Sequence, residues 1–460
     1  MNTKNTPVQP QKENKMGVMP IPKLLLTMSL PMVISMLVQA LYNIVDSIFV
    51  SQINENALTA VSLAFPIQNL MIAVATGTGV GVNALLSRSL GEKNFSQANK
   101  AANNSILLSI VSYLVFALIG IFGARPFFMT QTSDPQIIEY GCQYMSIVCI
   151  FSFGLFIQIN MERLLQSTGL TVYTMLTQGT GAILNIIFDP ILIFGKFGFP
   201  KMGVAGAAAA TVFGQIVAMI LGIYFNFFKN KEIKLSLRRM RFDGKTVKNI
   251  YIVGIPSILM MSIGSVMTFG MNKILLAFSS TAAAVFGVYF KLQSFFFMPV
   301  FGLNNGMVPI IAYNYGARRR QRILHTIRLS CTAAVCLMLC GLAVFNLIPD
   351  VLLGFFNASD DMLAIGCPAL RIISISYIFA GFCIVIGSVF QALGNGVYSL
   401  ATSVCRQLCV LLPAAWILAR TFGLDAVWWS FPIAEIASVT LTLILFRRIY
   451  RQKLQGLDAD

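Results

Sequence analysis

The chain has 460 residues, of which 57% are hydrophobic and only 11% are charged, and its mean hydropathy is +0.76. Soluble proteins carry roughly 25% charged residues, so this composition excludes a soluble globular protein and indicates a membrane protein with many spans. The net charge of +16 does not require nucleic acid, because the basic residues of membrane proteins gather in cytoplasmic loops.

The polar residues 1–20 are predicted to form a flexible cytoplasmic segment. The apolar run that follows is too long for the hydrophobic part of a signal peptide and lacks a cleavage site, so we expect it to remain as a membrane helix. A span needs about 20 apolar residues to cross a ~30 Å hydrocarbon core. Such runs predict twelve membrane helices, at 22–52, 57–89, 98–123, 136–167, 171–195, 203–228, 248–278, 281–313, 323–348, 361–393, 397–420 and 425–447.

The distribution of the 33 lysines and arginines predicts the orientation of these helices. Most of them lie in the N-terminal segment, in alternate loops and in the C-terminal tail. The loops on the other side hold only Arg125, Lys196, Lys201 and Arg420. Basic residues are retained on the cytoplasmic side of a membrane, so both termini are predicted to be cytoplasmic.

The two halves of the chain resemble each other at a constant offset of 225 residues. The shift superimposes Pro31 on Pro256 and also pairs several glutamines and glycines, namely Gln68/Gln293, Gly77/Gly302, Gly81/Gly306, Gly91/Gly316, Gly141/Gly366, Gln166/Gln391, Gly169/Gly394 and Gly198/Gly423. An offset of six spans predicts two parallel lobes related by a pseudo-two-fold axis along the membrane normal, with substrate bound between them. This arrangement indicates a transporter whose lobes rock.

The repeat also predicts the domain organisation. We expect a cytoplasmic segment at 1–20, a first lobe at 21–228, a basic linker at 229–247, a second lobe at 248–447 and a cytoplasmic tail at 448–460. The fold class is therefore all-α and polytopic.

Several functional classes are excluded by missing motifs. No phosphate-binding G-x-x-x-x-G-K-[ST] sequence occurs, and the single histidine, His325, lies among arginines where we expect it to be solvated. A catalytic triad cannot be built around it, so the chain is predicted not to be an enzyme, and transport must use an ion gradient. No metal site or disulfide is expected from the cysteines, which lie in apolar runs and are interpreted as buried thiols: Cys142, Cys149, Cys331, Cys336, Cys340, Cys367, Cys383, Cys405 and Cys409.

Acidic residues inside the spans are the main candidates for ion coupling, since a charge at this depth is costly and usually functional. Counting along the helices places Asp46 and Asp189 roughly 10 Å, Tyr144 roughly 12 Å and Asn185 roughly 15 Å from the outer ends. Two adjacent acids cannot both ionise cheaply in low dielectric, so they could exchange a proton or, with Asn185, hold Na⁺. The alternative is that they are hydrated or pair structurally.

The second lobe does not repeat this cluster. The 225 shift places Met271 opposite Asp46 and Ala414 opposite Asp189. The deep acid of this lobe, Glu435, lies at a depth similar to Lys291, and the two are interpreted as a structural pair, with a substrate-cavity role as the alternative.

Other charged and apolar residues allow two interpretations. Glu162 and the adjacent Arg163 are expected to pair or to reach the interface, and Arg371 and Arg406 have no identified partner. Met28, Met32, Met36 and Phe295 could line an adaptable cavity or pack helices.

Taken together, these residues resemble the multidrug and toxic compound extrusion (MATE) transporters of bacteria. The resemblance covers the chain after residue 20 and rests on LPMVISML with Pro31 and Asp46, RLLQSTG from Arg163, FQALGNG from Phe390, KLQSFFFMP from Lys291 and NIIFDP from Asn185. It implies export of organic, often cationic, compounds in exchange for H⁺ or Na⁺, without another cofactor.

The resemblance also implies roles for individual residues. Asp46, Tyr144, Asn185 and Asp189 match the cation site of the family, and Pro31 matches a proline linked to helix bending on protonation. A threonine found in this network in some relatives falls at Ala207, and the second-lobe acids of the Na⁺-coupled branch have no counterpart in helices 7 and 10. The expected partners are small organic substrates and the lipid bilayer, and the protein is expected to be a monomer.

Two other functions remain compatible with the sequence. A flippase for a lipid-linked oligosaccharide would need a strongly cationic cavity, for which Lys291, Arg371 and Arg406 are the candidates. A membrane scaffold that transports nothing is the other alternative.

Overall fold

The computed structural model describes residues 13–236, 241–356 and 358–457, and these residues form helices and connecting turns without strands. Ten helices are long and apolar enough to cross a membrane, and two bent helix pairs complete twelve spans. The predicted fold class is confirmed. The spans are α1 (Ile21–Ser51), α2 (Glu55–Gly91), α3 (Phe95–Gln131), α4 (Pro135–Ile150 with Phe153–Ser167), α5 (Thr171–Phe194), α6 (Val204–Phe228), α7 (Gly244–Leu276), α8 (Ser280–Gly316), α9 (Arg320–Leu347), α10 (Asp360–Ser374 with Tyr377–Ala392), α11 (Gly396–Phe422) and α12 (Leu424–Leu454).

Most predicted limits differ from the observed ones by a few residues, and the larger differences have local causes. Helix α3 continues to Gln131 through a wider turn at Ile119–Gly123. Helix α7 begins at Gly244, where the preceding Asp243 accepts a hydrogen bond from the Thr246 hydroxyl at 2.5 Å. Parts of the predicted N-terminal segment, linker and tail, at 1–12, 237–240 and 458–460, lie outside the described residues.

The internal repeat extends to the backbone conformation of the turns. Equivalent residues have matching positive φ angles: 56° and 57° at Lys93 and Arg318, and 88° and 74° at Gly169 and Gly394. The helix caps repeat as well, since Asn54 and Ser279 each accept a hydrogen bond from the backbone three residues later, at 2.7 and 3.1 Å. The two halves of the sequence therefore specify the same local structures.

The two bent spans also occupy equivalent positions. Helix α4 bends by 45° at residues 151–152, and α10 bends by 52° at residues 375–376. Ser152 and Ser376 lie at these breaks and are both buried. Each lobe thus has its bend in its fourth helix.

The lobes pack together at the end of the molecule that carries the N-terminus and the basic loops, which we call the basic end. Gly91 and Gly316 lie at equivalent crossings, where an added Cβ would meet the carbonyl oxygens of Tyr313 and Arg88, respectively. Glycine is required here because the backbones approach too closely for any side chain. By the same symmetry, α2 packs against α7 and α8 packs against α1. These contacts between the lobes close the basic end.

Residues 13–19 belong to this closed end, which differs from the flexible segment predicted for residues 1–20. Lys15–Val18 form a helical turn and Met16 is completely buried. Asn14 donates to the Thr168 carbonyl of the first lobe at 3.0 Å, and Arg322 of the second lobe donates to the Met16 carbonyl at 3.0 Å. The segment is held because it bonds to both lobes.

The cysteines are only partly as predicted. All nine are free, but only Cys149 and Cys383 are buried. Four others are half-buried, and Cys336, Cys340 and Cys409 are exposed. An apolar run predicts a membrane helix without indicating which of its faces contacts lipid. His325 is exposed, as predicted.

Candidate functional site

The structure brings Asp46 of α1 and Asp189 of α5 together inside the first lobe. Their carboxyl groups lie within hydrogen-bonding reach of each other, and the Asp189 side chain is completely buried. The Oδ1 atom of each is buried without a hydrogen-bond donor among the described residues. Two carboxyl groups this close favour the binding of a proton or a cation, because two bare negative charges repel strongly away from water.

Asn185 lies one helical turn before Asp189 and completes this arrangement. In the amide orientation that satisfies every neighbour, its Nδ2 donates to Asp189 Oδ2 at 3.0 Å, and its Oδ1 accepts from the Thr211 amide and hydroxyl, each at 3.1 Å. Thr211 belongs to α6 and is buried. Helix α6 therefore fixes the Asn185 amide, which in turn orients Asp189.

Two tyrosines surround the carboxyl pair. The buried Tyr144 phenol accepts a hydrogen bond from the Gln68 amide at 3.3 Å. Both Tyr144 and Tyr42 lie close enough to Asp46 and Asp189 to interact with them electrostatically. The predicted layer of Asp46, Tyr144, Asn185 and Asp189 is thus present as one cluster.

Three members of this cluster were missed by sequence reasoning. Tyr42 precedes Asp46 by four residues, a spacing that places both on one helix face, so this signal was available. Thr211 follows Ala207 by one turn of α6 and provides the hydroxyl that the resemblance located at Ala207, which is buried and apolar. Gln68 was noticed only as part of the repeat.

The second lobe contains a different ionic contact from the one predicted. Glu435 is buried and pairs with Arg406 of α11, with 3.5 Å between Oε2 and Nη1. Lys291 is exposed, and its ammonium lies 5.9 Å from the centre of the Phe356 ring. The predicted Lys291–Glu435 pair is therefore wrong, because depth along a helix gives no information about the direction in which a side chain points.

Glu162 and Arg163 are both buried but do not form an ion pair. Glu162 accepts hydrogen bonds from Gln158 at 2.9 Å, Gln178 at 2.7 Å and Thr177 at 3.2 Å. The described part of the chain gives this carboxyl group no ion pair.

Arg163 points instead toward the second lobe. Its Nη1 donates to Gln166 at 2.9 Å and to Asn305 of α8 at 3.1 Å. The contact with Asn305 joins the lobes on the basic side of the molecule, so the predicted pairing with Glu162 is replaced by a contact between lobes.

The remaining predicted site residues lie in two environments. Pro31, Met28 and Met32 are buried where α1 packs against α8, and the neighbouring Ser29 donates to the Leu303 carbonyl at 3.2 Å. Met36 is half-buried and Phe295 is exposed. Met28 and Met32 therefore contribute to the closed contact between lobes in this conformation. Helix α1 continues through Pro31 without a break.

No group of three or more His, Cys, Asp or Glu side chains that could hold a metal ion occurs within the described ranges. The carboxyl oxygen atoms of Asp46 and Asp189 are available to a monovalent cation in the first lobe. The Asn185 oxygen, which the sequence offered as a third ligand, accepts hydrogen bonds from Thr211 instead.

The two halves of the chain also match a known family separately. The model of the MatE family matches residues 31–191 and again residues 256–417. The chain belongs to the MatE family. The two matches reproduce the internal repeat, and the resemblance based on sequence motifs is confirmed.

Relatives of this MatE protein match it over nearly their whole length. The multidrug export protein MepA of Staphylococcus haemolyticus is 25% identical over 424 residues, covering 92% of each chain. The FAD transporter of Shewanella oneidensis is 27% identical over 446 residues, covering 94% of this chain and 95% of the relative. The substrates named for these two relatives are chemically different, although their similarity to this chain is comparable.

The fold is shared with a solved structure described as the outward-facing conformation of a multidrug resistance MATE family transporter of the MOP superfamily. The TM-score is 0.90 at 25% sequence identity, and the match covers 98% of this chain and 99% of the other.

Proposed function

We propose that this MatE protein is a secondary active multidrug exporter, which moves organic and often cationic compounds out of the cell in exchange for inward H⁺ or Na⁺. The observation that carries the proposal is the carboxyl pair of Asp46 and Asp189, in which each Oδ1 is buried without a donor. A site of this kind gains a proton or a cation readily and releases it when the helices carrying the two acids move apart.

Coupling requires that occupancy of this site changes the contact between lobes. Helix α1 carries Asp46 in one half and packs against α8 through Ser29 and Pro31 in the other. A proline inside a helix removes one backbone hydrogen bond and is a common place for bending. Bending of α1 at Pro31 is therefore our proposal for how binding at Asp46 loosens the closed basic end.

The basic end is proposed to face the cytoplasm of a bacterial cell, with both termini on that side of the inner membrane and the protein acting as a monomer. The positive charge of this end supports the orientation. The carboxyl pair then lies toward the outside, where the proton or Na⁺ would enter.

The substrate class is supported by the relatives and by the charges near the lobe contact. Glu162 is a buried carboxyl group that makes only hydrogen bonds with neutral donors, so a cationic compound would complement its charge. Lys291, Phe295 and Glu435 stay candidates for the cavity of the second lobe. An oligosaccharide-lipid flippase is less well supported, since the pairing of Arg406 with Glu435 neutralises one of its three candidate cations.

The decisive experiment measures efflux of a cationic dye from proteoliposomes under an imposed H⁺ gradient or an imposed Na⁺ gradient, tested separately. We expect one gradient to drive efflux by the wild-type protein and Asp46→Asn to reduce that rate more than tenfold. Asp134→Asn is the matched control, because Asp134 is a half-buried helix cap away from the carboxyl pair and asparagine caps equally well. Dye efflux by Asp46→Asn at the wild-type rate would overturn the coupling role.

A further inference from the structure

A groove of about 600 Å³ opens at the basic end between the start of α1 and the first turns of α9. One wall is apolar and consists of residues 20–22, with sequence Pro-Ile-Pro. The other wall belongs to α9 and carries the polar residues Gln321, His325 and Arg328 beside Leu324. No acidic side chain within the described ranges lines it. The groove thus combines an apolar surface with net positive charge.

The three polar residues share one face of α9, because they are spaced by four and three residues. All three are exposed. Among the described residues, neither the Arg328 guanidinium nor the His325 imidazole has a hydrogen bond or an ion pair within the protein. Their donors are therefore available to a ligand.

Arg322 also lines the groove, but its side chain already forms hydrogen bonds within the protein. Its Nη2 donates to the carbonyls of Met16 at 3.0 Å and Met19 at 2.7 Å, and its Nε donates to Asn314 at 3.1 Å. This arginine fixes the N-terminal segment behind the groove, so the apolar wall has a defined position relative to Arg328.

The lengths of the two helices place the groove at the level of lipid headgroups. Helices α1 and α9 contain 31 and 28 residues, which corresponds to about 46 and 42 Å at 1.5 Å per residue. Both exceed the ~30 Å hydrocarbon core, so their ends extend into the headgroup region. Arg328 lies about 12 Å from the start of α9 by the same rise. Its long side chain, which tilts toward the N-terminus of the helix, extends back toward the headgroup region.

We propose that this groove binds an anionic phospholipid. The Arg328 guanidinium presents paired donors to the phosphate, as arginine does in bidentate contacts, with His325 and Gln321 completing the headgroup contact. The glycerol and the first part of an acyl chain lie against residues 20–22. Free inorganic phosphate carries the same charge but has no apolar part that could contact residues 20–22. Basic pockets between membrane helices are known to bind anionic headgroups.

The test titrates purified full-length protein in neutral detergent with phosphatidylglycerol, with phosphatidylcholine of the same acyl chains, and with inorganic phosphate. Thermal unfolding and native mass spectrometry report binding. We expect phosphatidylglycerol to raise the melting temperature and to be retained in the mass spectrum. Arg328→Gln should need at least fivefold more phosphatidylglycerol for half of the shift, and Arg328→Lys should be intermediate.

Arg420→Gln is the matched control, because it removes the same charge at the opposite end, where Arg420 stacks on Trp416 at 4.4 Å. It should respond to phosphatidylglycerol like the wild-type protein. An equal response of Arg328→Gln, or an equal response of the wild-type protein to phosphatidylcholine, would overturn the proposal. Inorganic phosphate that reproduces the shift and depends on Arg328 would also overturn it, in favour of a site for free phosphate. None of these results depends on which ion or drug is transported.

Discussion

Asp46 and Asp189 face each other across α1 and α5 with their carboxyl groups within hydrogen-bonding reach. Their position differs from that of a structural ion pair, since no basic side chain within the described ranges pairs with either. Asn185 bonds to the Oδ2 atom of Asp189 and leaves its Oδ1 atom free of donors. Asn185 thus fixes the Oδ2 atom of Asp189, while the Oδ1 atom remains available to a proton or a cation.

Asp189→Asn and Asn185→Ala should separate ion coupling from stability. Asp189→Asn replaces one of two facing carboxyl groups by an amide that can donate to Asp46, so we expect melting at or above the wild-type temperature with more than tenfold slower dye efflux. Asn185→Ala leaves the Thr211 hydroxyl and Asp189 Oδ2 without their partner, which costs about 1–3 kcal/mol. Thermal unfolding and proteoliposome efflux measure the two effects. A lower melting temperature for Asp189→Asn than for Asn185→Ala would contradict this account.

The Arg406–Glu435 contact predicts an asymmetric response to mutation. Arg406→Met leaves a buried carboxylate without its cation and should destabilise the protein by about 3 kcal/mol, because breaking a buried pair costs more than the pair contributes. Glu435→Gln should cost less, since Arg406 is 27% exposed and can reach water. The double variant should recover most of the loss, and thermal unfolding in detergent provides the measurement.

Lys291→Met is the control for this series. Because Lys291 is exposed and only stacks near Phe356, its substitution should leave the melting temperature close to that of the wild-type protein. A loss in Lys291→Met equal to that in Arg406→Met would favour the pairing predicted from sequence over the one observed.

The glycine crossings at the basic end predict a position-specific effect. Gly316→Ala would place a methyl group against the Arg88 carbonyl, which forces α2 and α8 apart and should lower both the melting temperature and the efflux rate. Gly287→Ala lies in the same helix with nothing within 4 Å of the added methyl group. It should be neutral or stabilising by about 0.5–1 kcal/mol, since alanine is the better helix former. Equal melting temperatures for the two variants would refute the close approach.

The membrane spans and the paired lobes of this protein could be predicted from its sequence, and each has a physical reason. Membrane spans could be predicted because each backbone polar group must be satisfied within a helix of bilayer length. The constant offset of 225 residues predicted the paired lobes, and the matching φ angles of Lys93 and Arg318 show that it extends to single turns.

The partners of buried charges could not be predicted in the same way. Asp46 and Asp189 were placed together correctly because both lie at one depth in one lobe. The same depth argument failed for Lys291 and Glu435, since it ignores rotation about the helix axis. The packed N-terminal residues were missed because several of their bonds, such as those from Arg319 to Gly17 and from Arg322 to Met16, involve backbone carbonyls, which every sequence has.

The stability of the packed N-terminal segment is expected to depend on pH through Glu232. It lies beyond the end of α6 and accepts a hydrogen bond from Asn14 at 3.1 Å. Burial raises the pKa of the Glu232 carboxyl above its ordinary value, and the hydrogen bond from Asn14 offsets part of this rise. An acid whose pKa is higher in the folded state stabilises the protein while protonated, and this contribution is lost as the pH rises through the folded-state pKa.

Glu232→Gln should therefore melt at the same temperature as the wild-type protein below about pH 4.5, the ordinary value for glutamate, where both side chains are neutral. As the pH rises toward neutrality, the variant should become the more stable protein, since glutamine still accepts from Asn14 without a charge. The difference should reach about 0.5 kcal/mol at most, because the carboxyl group is partly exposed and screened by water. Melting curves from pH 4 to 8 test this, with Glu139→Gln as an exposed control. A variant less stable than the wild-type protein at neutral pH would show that the Glu232 charge supports the segment instead.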